Sequence, residues 1–268
     1  MSLNFQILNF TLMKRLAFTL LLNACIQISI SQAQSDLKLV HDLTIEPNRI
    51  QEMEQSLKEW VQTYKKYNQV ETMTTYVTEN LHYIINWNLK NLSDLNKLSA
   101  SVQQLKDLMG PEKYEALHQQ ECENIRTINT YLISIRDELS YTPKNPRLKS
   151  KEIQYWVWTD YHIKPDRFKK AVESLRKIIN TYDEIDFTER MNSWVTLIGE
   201  GNIISCAYGG KNAGDVWYQL DQLKIKLSNS QSKTFSEFLS TVNKIENHGG
   251  YYRPDLSYIP ATELATKP

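Results

Sequence analysis

Two segments carry a carboxylate and an imidazole three residues apart, Glu79-x-x-His82 and Glu115-x-x-His118. On a helix that spacing puts both groups on one face, as in di-metal carboxylate bundles, which add two further inward carboxylates. Glu52, Glu54 and Glu59 are the available donors, but they lie off the apolar stripe of their own segment. Surface Glu–His neighbours are the default reading at this spacing. His118 and Cys122, one turn apart, could supply half of a zinc site. The run from Ser205 to Asn212, with Gly209, Gly210 and Lys211, invites a phosphate-loop reading. It has Ser205 where the first glycine belongs and Asn212 where the magnesium-binding hydroxyl belongs, so it reads as a structural loop or short hairpin. His-Glu-x-x-His, Gly-x-Ser-x-Gly and Cys-x-x-Cys do not occur. The expectation is no catalytic set, no cofactor and no metal.

The aromatic residues are the other candidate. Trp156, Trp158, Trp194 and Trp217 could line a ligand groove or a partner-binding face, although filling a core is the more ordinary use of such residues. Cys122 and Cys206 could pair in an oxidising compartment or stand as separate thiols.

The elements that would position these groups read as helices. Ile50, Met53, Leu57, Trp60, Tyr64 and Tyr67 follow Pro47 in steps of three and four, one narrow stripe. That stripe resembles a coiled-coil seam offered to another helix or another copy, and it is the candidate interaction face. It can be continued through Val70, Met73, Val77, Leu81 and Ile84, with the threonines between them marking a bend. Further stripes run from Leu89 to Leu108 and, past Gly110-Pro111, from Tyr114 to Leu139. Residues 141–150 hold two prolines and no periodicity, which makes them a loop between two halves. Ile153 to Tyr161 fits a short strand or a buried helical turn equally. Helices are expected again from Pro165, Phe187, Asp215 and Thr234, the last ended by His248-Gly249-Gly250. Five of the eight glycines lie between Gly199 and Gly214, the expected irregular loop. The tail 251–268 reads as extended. No internal repeat is evident.

The N-terminus supplies the compartment. Met13-Lys14-Arg15, the apolar run from Leu16 to Leu22, and Ser31-Gln32-Ala33 together read as a secretory signal over residues 1–33 with translation starting at Met13. The apolar run is shorter than the ~20 residues of a membrane span, so a stable transmembrane anchor is not expected. Cys25 is the alternative site of lipidation. The 268 residues hold 31 basic and 31 acidic side chains and are 41% hydrophobic, which excludes a disordered, collagenous or mucin-like chain. Loss of Lys14 and Arg15 leaves 29 basic against 31 acidic residues, a net charge of −2, so nucleic acid is not an expected partner.

Leu39-Val40-His41-Asp42, Glu46-Pro47-Asn48 and the following Gln-, Glu- and Tyr-rich segment resemble the start of minor-pilus subunits of type IV secretion and conjugation machines. The resemblance covers the first third of the chain after the signal. It implies a non-enzymatic, exported, all-α protein that contacts other pilus components. The expected organisation is a helical bundle over 34–140, the loop 141–150, a helical region over 151–250 with the glycine loop 199–214, and the tail. Protein contact or self-association through helices is the expected function. The alternatives are a periplasmic or secreted small-ligand binding protein and a metal-dependent helical-bundle enzyme.

Overall fold

Leu37–Ile45 forms a strand, β1, with a hydrogen-bonded neighbour on either side. In this computed structural model, which describes residues 36–230 and 232–261, the chain continues as α1 (Ile50–Lys66), β2 (Met73–Thr78), β3 (His82–Leu89), α2 (Asp94–Met109), α3 (Pro111–Cys122) and β4 (Ile125–Ile135). The same series then recurs: β5 (Tyr155–Ile163), α4 (Phe168–Asn180), β6 (Met191–Ile198), β7 (Ile203–Gly210), α5 (Ala213–Ser230), α6 (Ser232–Leu239) and β8 (Val242–Tyr252). The strands close into an antiparallel barrel in the order β1-β3-β2-β8-β5-β7-β6-β4. An all-α bundle, a coiled coil and the pilus-subunit reading built on them are therefore corrected.

The two halves share their register. Thr44 lies opposite His82 and Thr127, while His162 lies opposite Ile203 and Lys244. The ladder slips at the same place in each, between Thr44 and Ile45 and between His162 and Ile163. Each half is thus one β-α-β-β-α-β unit, and residues 141–150 lie at the junction. The repeat escapes the sequence because β1 and β5, LKLVHDLTI and YWVWTDYHI, share only Asp42 with Asp160 and Ile45 with Ile163.

Each strand directs alternate side chains to opposite faces. One face carries helices. Met53 and Leu57 of α1 pack with Leu43, Ile45, Tyr83 and Ile85 in one core, while Leu175 and Ile178 of α4 pack with Val195, Ile204 and Phe238 in another. Met53, Leu57 and Trp60 are buried, with Ile50, Tyr64 and Tyr67 packed beside them. The stripe is therefore the inner face of a helix on its own sheet, and only its helical spacing survives from the coiled-coil reading.

The helices read through 70–84, 125–139, 187–198 and 234–248 give way to strands at 73–78, 82–89, 125–135, 191–198 and 242–252. Their apolar residues fall on both the helix-covered face and the lumen face, which blurs the alternation of apolar and polar residues that marks a one-sided strand. The clustered threonines of β2 and the β-branched residues of β3 and β4 suit this pleated surface. Residues 199–214 form a hairpin turn, the strand β7 and the start of α5 rather than one irregular loop. The tail segment from Pro254 to Tyr258 folds back onto the first half: Thr75 donates its amide to Ser257 Oγ (2.9 Å), and its hydroxyl donates to the Leu256 carbonyl (2.7 Å).

The signal-sequence reading and the Cys25 lipidation reading lie outside the described residues. Among the described residues, no helix is long and apolar enough to cross a membrane.

Candidate functional site

The strand faces turned away from the helices line the barrel lumen. On β5 these are Trp156, Trp158, Asp160 and His162, by alternation from Tyr155, Val157 and Ile163, which pack in the helix-covered cores. On β1 the same positions are Lys38, Val40, Asp42 and Thr44. Strands β1 and β5 stand four places apart in a closed ring of eight, so they face one another across the lumen, as do β4 and β8. Asp42 and Asp160 therefore occupy matching positions on opposite walls. Tyr131 and His248 do likewise, opposite Val40 and Trp158 respectively.

Three of the five histidines lie on these inward positions, and each has a carboxylate. His82 Nδ1 is 2.9 Å from Asp42 Oδ1, His248 Nε2 is 3.2 Å from Asp160 Oδ2, and His162 Nε2 is 2.5 Å from Glu246 Oε2. The second oxygen of Asp160 accepts a hydrogen bond from Ser205 Oγ at 2.5 Å. Asp160 is thereby fixed from two strands, and the ring of His248 lies flat against Trp158, with centroids 5.3 Å apart and planes at 20°.

Electrostatics follow from this packing. Asp160 beside it raises the His248 pKa above the usual histidine value, against a lowering by burial, with smaller contributions from Glu246 and Asp42. Burial, and then the charges of Asp42, Asp160 and Glu200, raise the Tyr131 phenol, which stays protonated at neutral pH. Lys244 and His162 hold Glu246 below the usual carboxylate range. The lumen is open to solvent at this level, since the Asp160 and His248 side chains are 21% and 35% exposed. Tyr131 is seated by the β6–β7 turn. Gly199 there has φ +133°, and a Cβ on it would stand 2.7 Å from the Tyr131 Cβ, so a larger residue would displace the tyrosine.

The candidates drawn from helical spacing are not brought together. His82 joins the lumen on β3, whereas Glu79 leaves it and accepts a 2.5 Å hydrogen bond from Tyr155. Glu115 pairs with Lys106, and His118 lies beside Glu121 and Cys122 on the outside of α3. Among the described residues, no three His, Cys, Asp or Glu side chains are grouped to hold a metal ion. Cys122 is exposed and Cys206 buried; both are free thiols, and burial pushes Cys206 up to about 12. Of the four singled-out tryptophans, Trp156, Trp158 and Trp194 fall on lumen positions, and Trp217 is exposed on α5. Asp42, Asp160, Glu246 and His248 were missed. Their sequence signal is a period of two, with Trp156-x-Trp158-x-Asp160-x-His162 facing Glu246-x-His248.

The class that this architecture defines is the eight-stranded barrel made of two β-α-β-β-α-β halves, and solved structures share it. An anthrone oxidase-like protein aligns with a TM-score of 0.54 at 10% identity, over 88% of this chain and 98% of its own. A variant of the chlorite dismutase of Candidatus Nitrospira defluvii aligns with a TM-score of 0.52 at 8% identity, over 84% and 94%. A protein named provisionally as a monooxygenase, from Lactobacillus acidophilus, aligns at 0.50 and 10% identity, over 84% and 97%. At such identities the likeness is one of fold. No protein-family model and no curated protein matches the sequence.

Proposed function

We propose that this protein is an enzyme acting on small planar organic molecules, which enter the barrel lumen and exchange a proton with His248. The observation that carries this reading is the arrangement around that residue. Asp160 holds one ring nitrogen, Ser205 holds Asp160, and Trp158 fixes the ring plane, which leaves Nδ1 to face a ligand. A carboxylate that orients an imidazole and stabilises its charged form is the working part of a general acid–base. Trp156, Trp158, Trp194 and Tyr131 supply flat apolar walls, and the carboxylates on opposite sides disfavour an anionic ligand. The fold neighbours are described as an oxidase-like protein, a dismutase and a monooxygenase, which supports a small-molecule enzyme over a pilus component.

The test uses 5-nitrobenzisoxazole, a planar compound whose N–O bond breaks when a base removes its ring C–H proton, giving a nitrile and a coloured nitrophenolate. The wild-type protein is expected to accelerate opening, and His248→Gln to lose about 10²-fold or more of that rate, the usual contribution of a positioned base. A rate equal to buffer, or one that His248→Gln leaves unchanged, overturns the reading.

A further inference from the structure

The acid–base reading uses Asp160 and His248 on β5 and β8, yet the lumen holds a second carboxylate–imidazole pair on β1 and β3. Asp42 occupies in the first half the position of Asp160 in the second, by strand register and by the matching ladder slip. Its partner comes from another strand: His82 on β3 stands where the second half has Ile203, and Tyr131 stands where it has His248. The duplicated frame thus presents two aspartate-held imidazoles, His82 on β3 and His248 on β8, two strands apart with β2 between them, and a phenol on β4, the strand that faces β8. Asp42 engages Nδ1 of His82, leaving Nε2 for a ligand, just as Asp160 engages Nε2 of His248 and leaves Nδ1. The two walls lie close enough for Asp42 to act electrostatically on His248 and for Asp160 to act on Tyr131. No hydrogen-bond partner of the Tyr131 hydroxyl occurs among the described residues. The Glu246–His162 pair is already joined by Lys244 and adds no third station.

We propose that Asp42–His82 is a second proton-transfer station, and that the two stations together move a proton between carbons of an unsaturated ketone. This rests on His248 acting as the acid–base. In the step, neutral His248 takes a proton at Nδ1 from the carbon between the carbonyl and the C=C bond. The C–H electron pair forms a new C=C bond to the carbonyl carbon, and the carbonyl becomes an enolate oxygen that accepts the Tyr131 O–H. The enolate pair then returns, the original double bond shifts, and its far carbon takes a proton from Nε2 of protonated His82. One C–H bond breaks and one forms, and each histidine regains its starting state by exchange with water. Neither an oxidant nor a reductant is consumed. A single base could catalyse exchange alone; delivery from a second acid two strands away is what the second pair adds.

The experiment follows cyclohex-3-enone with the full chain in D2O by proton NMR, reading deuterium exchange at the carbon next to the carbonyl and formation of the conjugated isomer separately. Wild type is expected to do both. His82→Gln should keep exchange within about twofold while isomerisation falls about 10²-fold, and Asp42→Asn should change the ratio in the same direction. Tyr131→Phe should slow both and leave their ratio unchanged. His248→Gln should lose both. If His82→Gln and Asp42→Asn isomerise as fast as wild type, or wild type exchanges without isomerising, the second station is overturned and the His248 reading stands. If wild type does not exchange at all, the acid–base reading itself fails.

Discussion

Asp160 is the residue on which the second-half site turns, because it meets Ser205 with one oxygen and His248 with the other. Its negative charge favours the protonated imidazole, so the His248 pKa is higher folded than unfolded. A raised pKa means that the folded state holds the proton more tightly. The stabilisation is therefore fully present below the unfolded value near 6.5 and is lost as pH rises through the folded value. Asp160→Asn removes the charge and keeps the shape. The melting-temperature difference between wild type and this variant is expected to be larger at about pH 5.5 than at about pH 8, over a pH-independent part from the altered Ser205 bond. The imidazole resonances of His248, followed by NMR, should titrate at lower pH in Asp160→Asn. A titration unmoved by the substitution would mean that the pair does not set the proton affinity of the site.

At the scale of elements, fit between strands decides what substitutions do. Gly249 on β8 has no Cβ, and one built there would stand 2.0 Å from Tyr155 Oη, the hydroxyl that binds Glu79. Gly249→Ala must push Tyr155 from that bond, and it is expected to destabilise by about 1–3 kcal/mol in urea unfolding, as overpacking does. Gly214 in the first turn of α5 has only Asn212 Oδ1 nearby, at 3.5 Å, so Gly214→Ala is expected to be neutral or to stabilise by up to about 1 kcal/mol. Equal losses at the two sites would contradict the packing described for β8. The same two-faced strands explain what the sequence left hidden. Helix α1 was legible because one stripe of it is buried, from Met53 to Trp60. Strand β5 was not, because Tyr155 and Val157 fill a core on one face while Trp156 and Trp158 line the lumen on the other, and both faces draw large residues. The site was hidden for a related reason. His82 was read with Glu79 at helical spacing, whereas on a strand its partner is Asp42, forty residues away in the chain and one strand over in space.

At the scale of the molecule, the halves are joined by more than their two strand seams. The seams themselves are short: β2 meets β8 over Tyr76 to Thr78, and β4 meets β6 over Leu132 to Ile135. Each half also lends residues to the other's core. Leu139, from the first half, lies fully buried among Leu175, Ile178 and Phe187 of the second. Leu256 and Tyr258, at the end of the second, lie buried among Met53, Leu57 and Tyr83 of the first, where Tyr258 donates a 2.6 Å hydrogen bond to the Gln69 carbonyl. Two identical first halves could in principle close a barrel, since β2 and β4 are the open edges of each. They would lack the Leu256 and Tyr258 that complete their cores. Residues Lys144 and Asn145 are exposed at the junction, while Tyr141 and Arg147 on either side bind the second half through Met191 and Glu189. Cutting between Lys144 and Asn145 should therefore leave the interlock intact. Fragments 36–144 and 145–268, co-expressed, are expected to purify as a 1:1 complex with the mass of the joined chain and with proton-transfer activity toward 5-nitrobenzisoxazole. Fragment 36–144 alone should self-associate without that activity, because it lacks His248 and leaves both sheet edges unpaired. A stable monomer of 36–144 with native-like circular dichroism would show that the halves fold independently and that the exchanged core residues do not bind them together.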